Sequence, residues 1–449
     1  MDDDVVKRRV LSLQGLYDVG STYASGGPRT EVTYHNTSPR PNARRMVRFP
    51  SMTYRNCPRM TIEPAAPIGH HEPDHRSVPL PIRTCCKGLP AMIRLRRDSI
   101  VRTLTLAAFS SFLPLATLPA NAAEPLEIVF VDVMGGAATL IKTPEGETIL
   151  IDSGWPGLDD RDPKRIVYVL KEVLGKSRID HLVTTHWHTD HYGGVKGLAE
   201  RVEIGRFWDR GLPEDPGVDP ANFPDGPKPE DKLGIAYRAA SKGKRTVIKA
   251  GDTLALKGGI KATVLAASGK VMPAPAGAKP NPLCEHAPED KPKDDSDNAL
   301  STVIKFSLGK FDFFDAGDLT WNIEKNLVCP HDLVGPVDLY QVTHHGMDIS
   351  NHPTLLKTLD PTVAIMNNGP RKGGSAATIK LLRELPNLKA AFAMHRNHAL
   401  SESENMPAEF TANSDTTGGE FIRVTVDPDG SKYRVRIGAY GKEKEFESK

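Results

Sequence analysis

At 449 residues the chain has room for two or three domains, but its ends differ in composition. The whole chain carries a formal charge of +2, while residues 124 to 449 hold 41 Lys and Arg against 47 Asp and Glu, a net of −6. That mildly acidic balance excludes sequence-independent binding to a polyanion by bulk charge, and no strong nucleic-acid signature offsets it.

Residues 1 to 91 are rich in Arg, Pro, Ser and His and show no sustained apolar period. They offer no face for a core and are expected to be disordered. From Met92 the pattern changes. A basic stretch (Arg94, Arg96, Arg97, Arg102) precedes an uncharged run from Thr103 to Leu118 and the small-residue site Ala120-Asn121-Ala122. This order over residues 92 to 122 describes a secretory signal peptide, too short to span a membrane. Such a peptide belongs at an amino terminus, so residues 1 to 91 read as an upstream extension from mis-called initiation, and the protein as periplasmic or secreted. Asp98 and Ser99 behind the paired arginines favour Sec over twin-arginine export. The GHHEPDH stretch (His70, His71, His75) falls in this extension and, with no structure expected around it, carries no site. Beyond it only Cys284 and Cys329 occur, a pair that either forms one disulfide in an oxidising compartment or stays as two buried thiols.

From Glu124 onward short β-rich runs alternate with helical ones. EIVFVDV (127 to 133), ATLIKTP (138 to 144) and ETILIDSG (147 to 154) are expected strands, the last two joined across a Pro-Glu-Gly turn. DPKRIVYVLKEVLG (162 to 175) has apolar residues at 166, 167, 169, 170 and 174 and a closing Gly, as an amphipathic helix should. IDHLVTTH (179 to 186) reads as a buried strand and VKGLAERV (195 to 202) as a helix. TVIKAG, LALKG, IKATVLAAS, STVIKFSLG, KFDFFDAGD, LYQVTHH and PTVAIMNNG follow as strands before the helix AATIKLLREL, and KAAFAMH, GEFIRVTVDPDG and YRVRIGAY are the last strands. Residues 211 to 232 and 268 to 297 are long loops rich in Pro, Gly, Asp and Lys. One layered α/β domain over residues 124 to 449 accounts for this order.

THWHTDHYGG (185 to 194) packs metal-grade ligands densely. On an extended segment alternate side chains share a face, so His186 and His188 can serve one ion. A turn at Asp190 then lets Asp190 and His191 serve a second, with Gly193 and Gly194 permitting the turn. Two dications also need a bridging anion. Asp318, ending KFDFFDAGD, and His344-His345, ending LYQVTHH, are the candidates.

The ordered set TTHWHTDHYGG, DAGD and THHG resembles the metallo-β-lactamase superfamily, and within it the ComEC-type hydrolase domains of bacterial competence proteins. The likeness runs from about Glu127 to Gly369. It implies an αββα four-layer sandwich with two metal ions at one edge of the sheets. It further implies His186, His188, Asp190 and His191 as ligands, Asp318 as the bridging one, and one of His344 and His345 completing the set. His345 is favoured as ligand and His344 as a proton-transferring partner, though the two can be exchanged. Asp152 corresponds to the aspartate that orients the loop; a strand-ending Asp with local hydrogen bonds is the alternative. The ComEC-type motif D-V-G-Q-G-D stands here as Asp132-Val133-Met134-Gly135-Gly136-Ala137, without its last carboxylate, which argues against a competence-type nuclease.

A two-metal site lowers the pKa of a bridging water to around 7 and supplies hydroxide at neutral pH. The expected activity is therefore metal-dependent hydrolysis, with Asp190 orienting the hydroxide and His344 passing a proton to the leaving group. A ligand set of His and Asp without Cys suits Zn²⁺ and admits Mn²⁺ or Fe. Asn298 and Ser301 are expected near the metals as orienting or strand-capping groups, and Arg371, Lys372, His395 and Arg396 as strand-end residues within reach of substrate or packed away from it. A phosphodiester suits the basic pair Arg371-Lys372, whereas the acidic net charge suits a small uncharged lactone or amide. A metal-bearing binding module is the non-enzymatic alternative.

Overall fold

The computed structural model describes residues 123–415 and 417–449; the expected amino-terminal extension and the expected signal peptide lie outside them. Six strands come first: β1 (Leu126–Phe130), β2 (Thr139–Lys142), β3 (Thr148–Ile151), β4 (Arg178–Val183), β5 (Glu203–Asp209) and β6 (Arg245–Val247). Nine more form a second sheet: β7 (Thr253–Leu254), β8 (Lys261–Ala267), β9 (Lys270–Val271), β10 (Val303–Leu308), β11 (Phe311–Asp315), β12 (Leu339–Gln341), β13 (Val363–Met366), β14 (Ala390–His395) and β15 (Thr411–Asn413). The chain then returns to the first sheet as β16 (Ile422–Val426), β17 (Lys432–Ile437) and β18 (Lys444–Glu447), with β16 beside β1.

Period-two alternation buries both faces of these strands. In β1, Leu126, Ile128 and Phe130 pack with Ile304, Phe306 and Phe313 of the opposite sheet, while Val129 faces outward onto a helical layer. That outer layer holds α1 (Arg161–Tyr168, continued by a π turn over Val169–Val173), α2 (Thr189–Tyr192), α3 (Val195–Ala199) and α4 (Lys232–Ser241). The second sheet is covered by α5 (Trp321–Asn326), α6 (Pro353–Leu359) and α7 (Ala376–Arg383), whose Leu355, Leu356, Ile379 and Leu382 join Tyr340 and Phe314. The layers run helix, sheet, sheet, helix: an αββα sandwich.

Most expected elements form where the periodicity places them, and the differences have local causes. α4 has no apolar stripe, because its buried face is Gly234, Tyr237 and Ser241 while Ile235 is exposed. α5, α6, β15 and β18 are likewise short or mixed in pattern. The strand expected to run to His186 ends at Val183, and the one expected to reach His345 ends at Gln341. His186 sits in a bend and His188 returns to extended backbone, whereas His344 and His345 share a tight turn.

Sheet direction decides where those turns lie. β3 to β6 are mutually parallel, as are β11 to β15. Parallel strands deliver their carboxyl ends to one edge, where loops can gather side chains from several strands. Cys284 and Cys329 form a disulfide, their Cα atoms 5.8 Å apart, which resolves the alternative of two free thiols. Among the described residues no helix is long and apolar enough to cross a membrane.

Candidate metal centre

Four strands and one short helix bring polar side chains to this edge. β3 delivers Asp152, the turn after β4 delivers His186 and His188, α2 carries Asp190 and His191, and the turns after β11 and β12 deliver Asp318, His344 and His345. His344 and His345 take φ of 56° and 53°, so the alternation rule for strands fails between them. Their shared turn is braced from behind: Asn351 donates to the Thr343 and Met347 carbonyls, and Tyr340 donates to Asn351 Oδ1 at 2.8 Å.

Asp318 Oδ2 is the centre of the group. His191 Nε2 lies 3.1 Å from it, His345 Nε2 3.2 Å, His344 Nε2 3.5 Å and His186 Nε2 3.9 Å. Asp190 Oδ2 lies 3.4 Å from His191 Nε2 and 3.3 Å from His345 Nε2. Ligand atoms of Asp190, His191, Asp318 and His345 all fall within 4.8 Å of one another, and all four residues are buried.

The outer nitrogens reveal what this group is built to hold. Thr185 Oγ1 donates to Asp152 Oδ2 (2.7 Å), which leaves it to accept from His186 Nδ1 at 3.1 Å. His191 Nδ1 donates to Asp152 Oδ2 at 2.7 Å. Ser350 Oγ donates to the Leu319 carbonyl (2.7 Å) and accepts from His344 Nδ1 at 3.0 Å. Each of these three rings therefore carries a proton on Nδ1, and in its neutral form presents a bare Nε2 to a carboxylate. His186 Nε2 is buried with no hydrogen-bond partner. Lone pairs facing lone pairs repel unless a cation lies between them, so the donor set fits divalent metal.

Titration follows the same logic. Burial alone would raise the Asp318 carboxyl, but His191, His345 and His344 outweigh it and hold it well below the usual carboxylate range. Burial alone would lower His191, yet Asp318, Asp190 and Asp152 raise it well above its ordinary value. Burial drops His344 to about 4, so at neutral pH its Nε2 is free to accept a proton.

The remaining candidates are placed as follows. His188 turns its Nε2 to Asp225 Oδ2 at 3.1 Å, on the long loop before α4, although its ring centroid stays 4.8 Å from that of His186. Asp225 also accepts from the Asp297 amide (2.8 Å), and Asp297 Oδ2 accepts from the Trp187 amide (2.6 Å), so this loop is tied to the histidine turn. Asn298 Nδ2 reaches His344 Nε2 at 3.5 Å, and Ser301 Oγ accepts from the Asp318 amide at 3.3 Å. Arg371 and Lys372 line a pocket of about 400 Å³ with Met134 and Pro370, and Lys372 pairs with Asp190. His395 is not brought to Asp318. It is fully buried and bonds Asp132 Oδ1 at 2.7 Å, a packed strand end in place of substrate contact. Asp225, Asp297 and Ser350 escape a sequence reading because each lies in a loop with no motif of its own.

The altered motif is also explained locally. Gly136 is required because a Cβ there would lie 2.5 Å from the Asp190 carbonyl oxygen. Ala137 is buried, and its amide donates to that same oxygen at 3.1 Å.

Comparison with known proteins finds partial likenesses. Residues 131–262 match the metallo-beta-lactamase superfamily. The matched segment contains His186 to His191 and ends ahead of Asp318 and His345. A beta-lactamase-like protein 2 homolog of Caenorhabditis elegans is 32% identical over 69 residues, 15% of this chain and 22% of its own length. The chain thus spans about a fifth of that curated relative. Among solved structures, the diiron β-hydroxylase CmlA of Streptomyces venezuelae is 17% identical with a TM-score of 0.32, covering 56% of this chain and 46% of its own. A metallo-beta-lactamase of Hirschia baltica is 16% identical with a TM-score of 0.22, covering 40% and 58%. Rubredoxin oxygen:oxidoreductase of Desulfovibrio gigas is 17% identical with a TM-score of 0.25, covering 43% and 38%. At such identities these likenesses say nothing of substrate.

Asp152 is expected to act through the rings it orients. Asp152→Asn keeps the shape and tolerates the φ of 58° at this position, but loses the charge opposite His191. Its metal affinity should fall about ten- to hundredfold, the usual effect of removing a partner behind a ligand. Chelator-competition titration reads this directly, and unchanged affinity would reduce Asp152 to a strand-end turn residue.

Proposed function

We propose that this protein is an exported, metal-dependent hydrolase of the ComEC type that holds two divalent ions, Zn²⁺ foremost with Mn²⁺ or Fe as alternatives, and cleaves a phosphodiester. The convergence of four imidazole Nε2 atoms on Asp318 Oδ2 carries the reading. Bound ions supply Lewis acidity toward the scissile group and acidify water. His344, neutral and anchored through Nδ1 by Ser350, has its Nε2 available to take up a proton and return it to a leaving group. Asp190, beside His191 and His345, orients the attacking oxygen, and Arg371 with Lys372 receives the anionic part of the substrate. The Cys284–Cys329 disulfide supports an oxidising compartment and hence export. The net charge of −6 over residues 124 to 449 favours a second reading, hydrolysis of an uncharged lactone or amide.

Elemental analysis of the purified protein, paired with hydrolysis of bis(p-nitrophenyl) phosphate and of a lactone, tests the proposal. About two ions with phosphodiester turnover is the expected result. Two ions with lactone turnover alone would move the reading to the second class. Metal uptake without hydrolysis of any ester would leave a metal-bearing binding module.

A further inference from the structure

Lys372 already supplies a cation to the metal centre. Its ammonium pairs with Asp190 Oδ2, the oxygen that also lies 3.3 Å from His345 Nε2 and 3.4 Å from His191 Nε2. It stands 5.1 Å from the centroid of the Trp155 ring. The turn that bears it is held in place at both ends. The Gly369 amide donates to the Lys372 carbonyl at 2.8 Å, and the Gly374 amide donates to the His345 carbonyl at 2.8 Å. Gly373 and Gly374 take φ of 74° and 60°, which lets the turn lie directly against His345. Lys372 therefore belongs to the same rigid edge as the candidate ligands.

A carboxylate oxygen that holds an ammonium cannot give a dication its full attraction, since the two cations repel at contact distance and more strongly in a buried site. We infer that Lys372 is a built-in competitor for the metal ion at Asp190, His191, Asp318 and His345, and that an anion in the pocket of Met134, Arg371 and Lys372 relieves the competition. This rests on the metallo-hydrolase reading. The pocket offers the lysine a second partner beside Arg371, so an anionic group there draws the ammonium from Asp190 and frees that oxygen for metal. Linkage then makes the effect mutual: the anion tightens the ion, and the ion tightens the anion. An ion on the His186 side would lie away from the Lys372–Asp190 pair and should feel the lysine less.

Equilibrium dialysis of Zn²⁺ against chelator-stripped full-length protein, with elemental analysis, reads each binding step without recourse to activity. Wild type, Lys372→Met, Lys372→Gln and Lys372→Arg are compared with and without methylphosphonate. The neutral variants should bind the second ion about tenfold tighter than wild type, with the first unchanged and Lys372→Arg close to wild type. Methylphosphonate should tighten the second ion in wild type and leave the neutral variants unaffected. Equal or weaker second-ion affinity in both neutral variants would overturn the inference while leaving the two-metal site standing. No ion taken up by wild type under any condition would bring down the metallo-hydrolase reading itself.

Discussion

Asp318→Ala is expected to lose most of its bound metal and to hydrolyse its substrate about a thousandfold more slowly or worse. Asp318 is 2% exposed, and it is the one carboxylate that four candidate ligand rings face together. No neighbour replaces it, because Asp190 is engaged by Lys372 and Asp152 lies behind the rings on their Nδ1 side. Removing a single electrostatic stabiliser from an active site commonly costs a hundred- to thousandfold in rate, and here the metal would go with it. Asp318→Asn separates the two contributions, since it keeps an oxygen donor and removes the charge. Metal content and turnover, measured together, decide the matter: a fully active, fully loaded Asp318→Ala protein would sink the two-metal proposal.

Asp132→Ala should destabilise the fold by about 3–5 kcal/mol, the range for breaking a buried, hydrogen-bonded charge pair. The Asp132 side chain is fully buried, bonded to His395 Nε2 at 2.7 Å and Arg165 Nη1 at 2.8 Å, and it accepts from the Met134 and Gly419 amides at 2.8 and 2.7 Å. It thereby ties β14 and α1 to the loop after β1 and to the turn before β16. Loss of the carboxylate strands a buried His395 and an Arg165 with fewer partners. Burial opposes ionisation, but the hydrogen bond and charge of His395, with Arg165 behind, bring Asp132 below its ordinary value of 3.8. A depressed carboxyl contributes stability above its unfolded value, and that contribution is lost as pH falls through the folded one. Wild type should accordingly lose stability below about pH 4 through this group, and Asp132→Ala should show a shallower dependence in that window. Urea unfolding at several pH values measures both, and a cost under about 1 kcal/mol at neutral pH would place Asp132 among ordinary surface-like pairs.

The two substitutions separate the motifs by what they do. The stretch Asp132 to Ala137 contributes architecture here. Asp132 holds strands together, Gly136 admits the Asp190 carbonyl, and no carboxylate stands at Ala137. The candidate metal ligands are instead Asp190, His191, Asp318 and His345.

Much of this was legible from residue order. Two-faced burial of a run such as VAIM follows from its apolar continuity, and a layered α/β domain follows from the alternation of strand and helix patterns. The density of H-x-H-x-D-H after a buried strand marks a metal site because few other roles require four such side chains in six positions. Those facts are local, set by periodicity, turn chemistry and the scarcity of His and Asp in cores.

Contacts between distant segments were not legible, because side-chain type does not encode which loop arrives beside it. His188 meets Asp225 in a loop that sequence marks only as polar, and Lys372 meets Asp190 across 182 positions. His395, expected at a strand end either within reach of substrate or packed away from it, meets Asp132 across 263 positions. The adjacent His344 and His345 differ for the same reason. Both sit at positive φ, and only the packing of Ser350 against one ring and of Asp190 and His191 around the other tells them apart. Periodicity thus pointed to a layered α/β domain and ligand density to a candidate metal site, with the sandwich implied by the family resemblance, while the pairing of each candidate ligand waited on the folding of loops whose ends lie far apart in the chain.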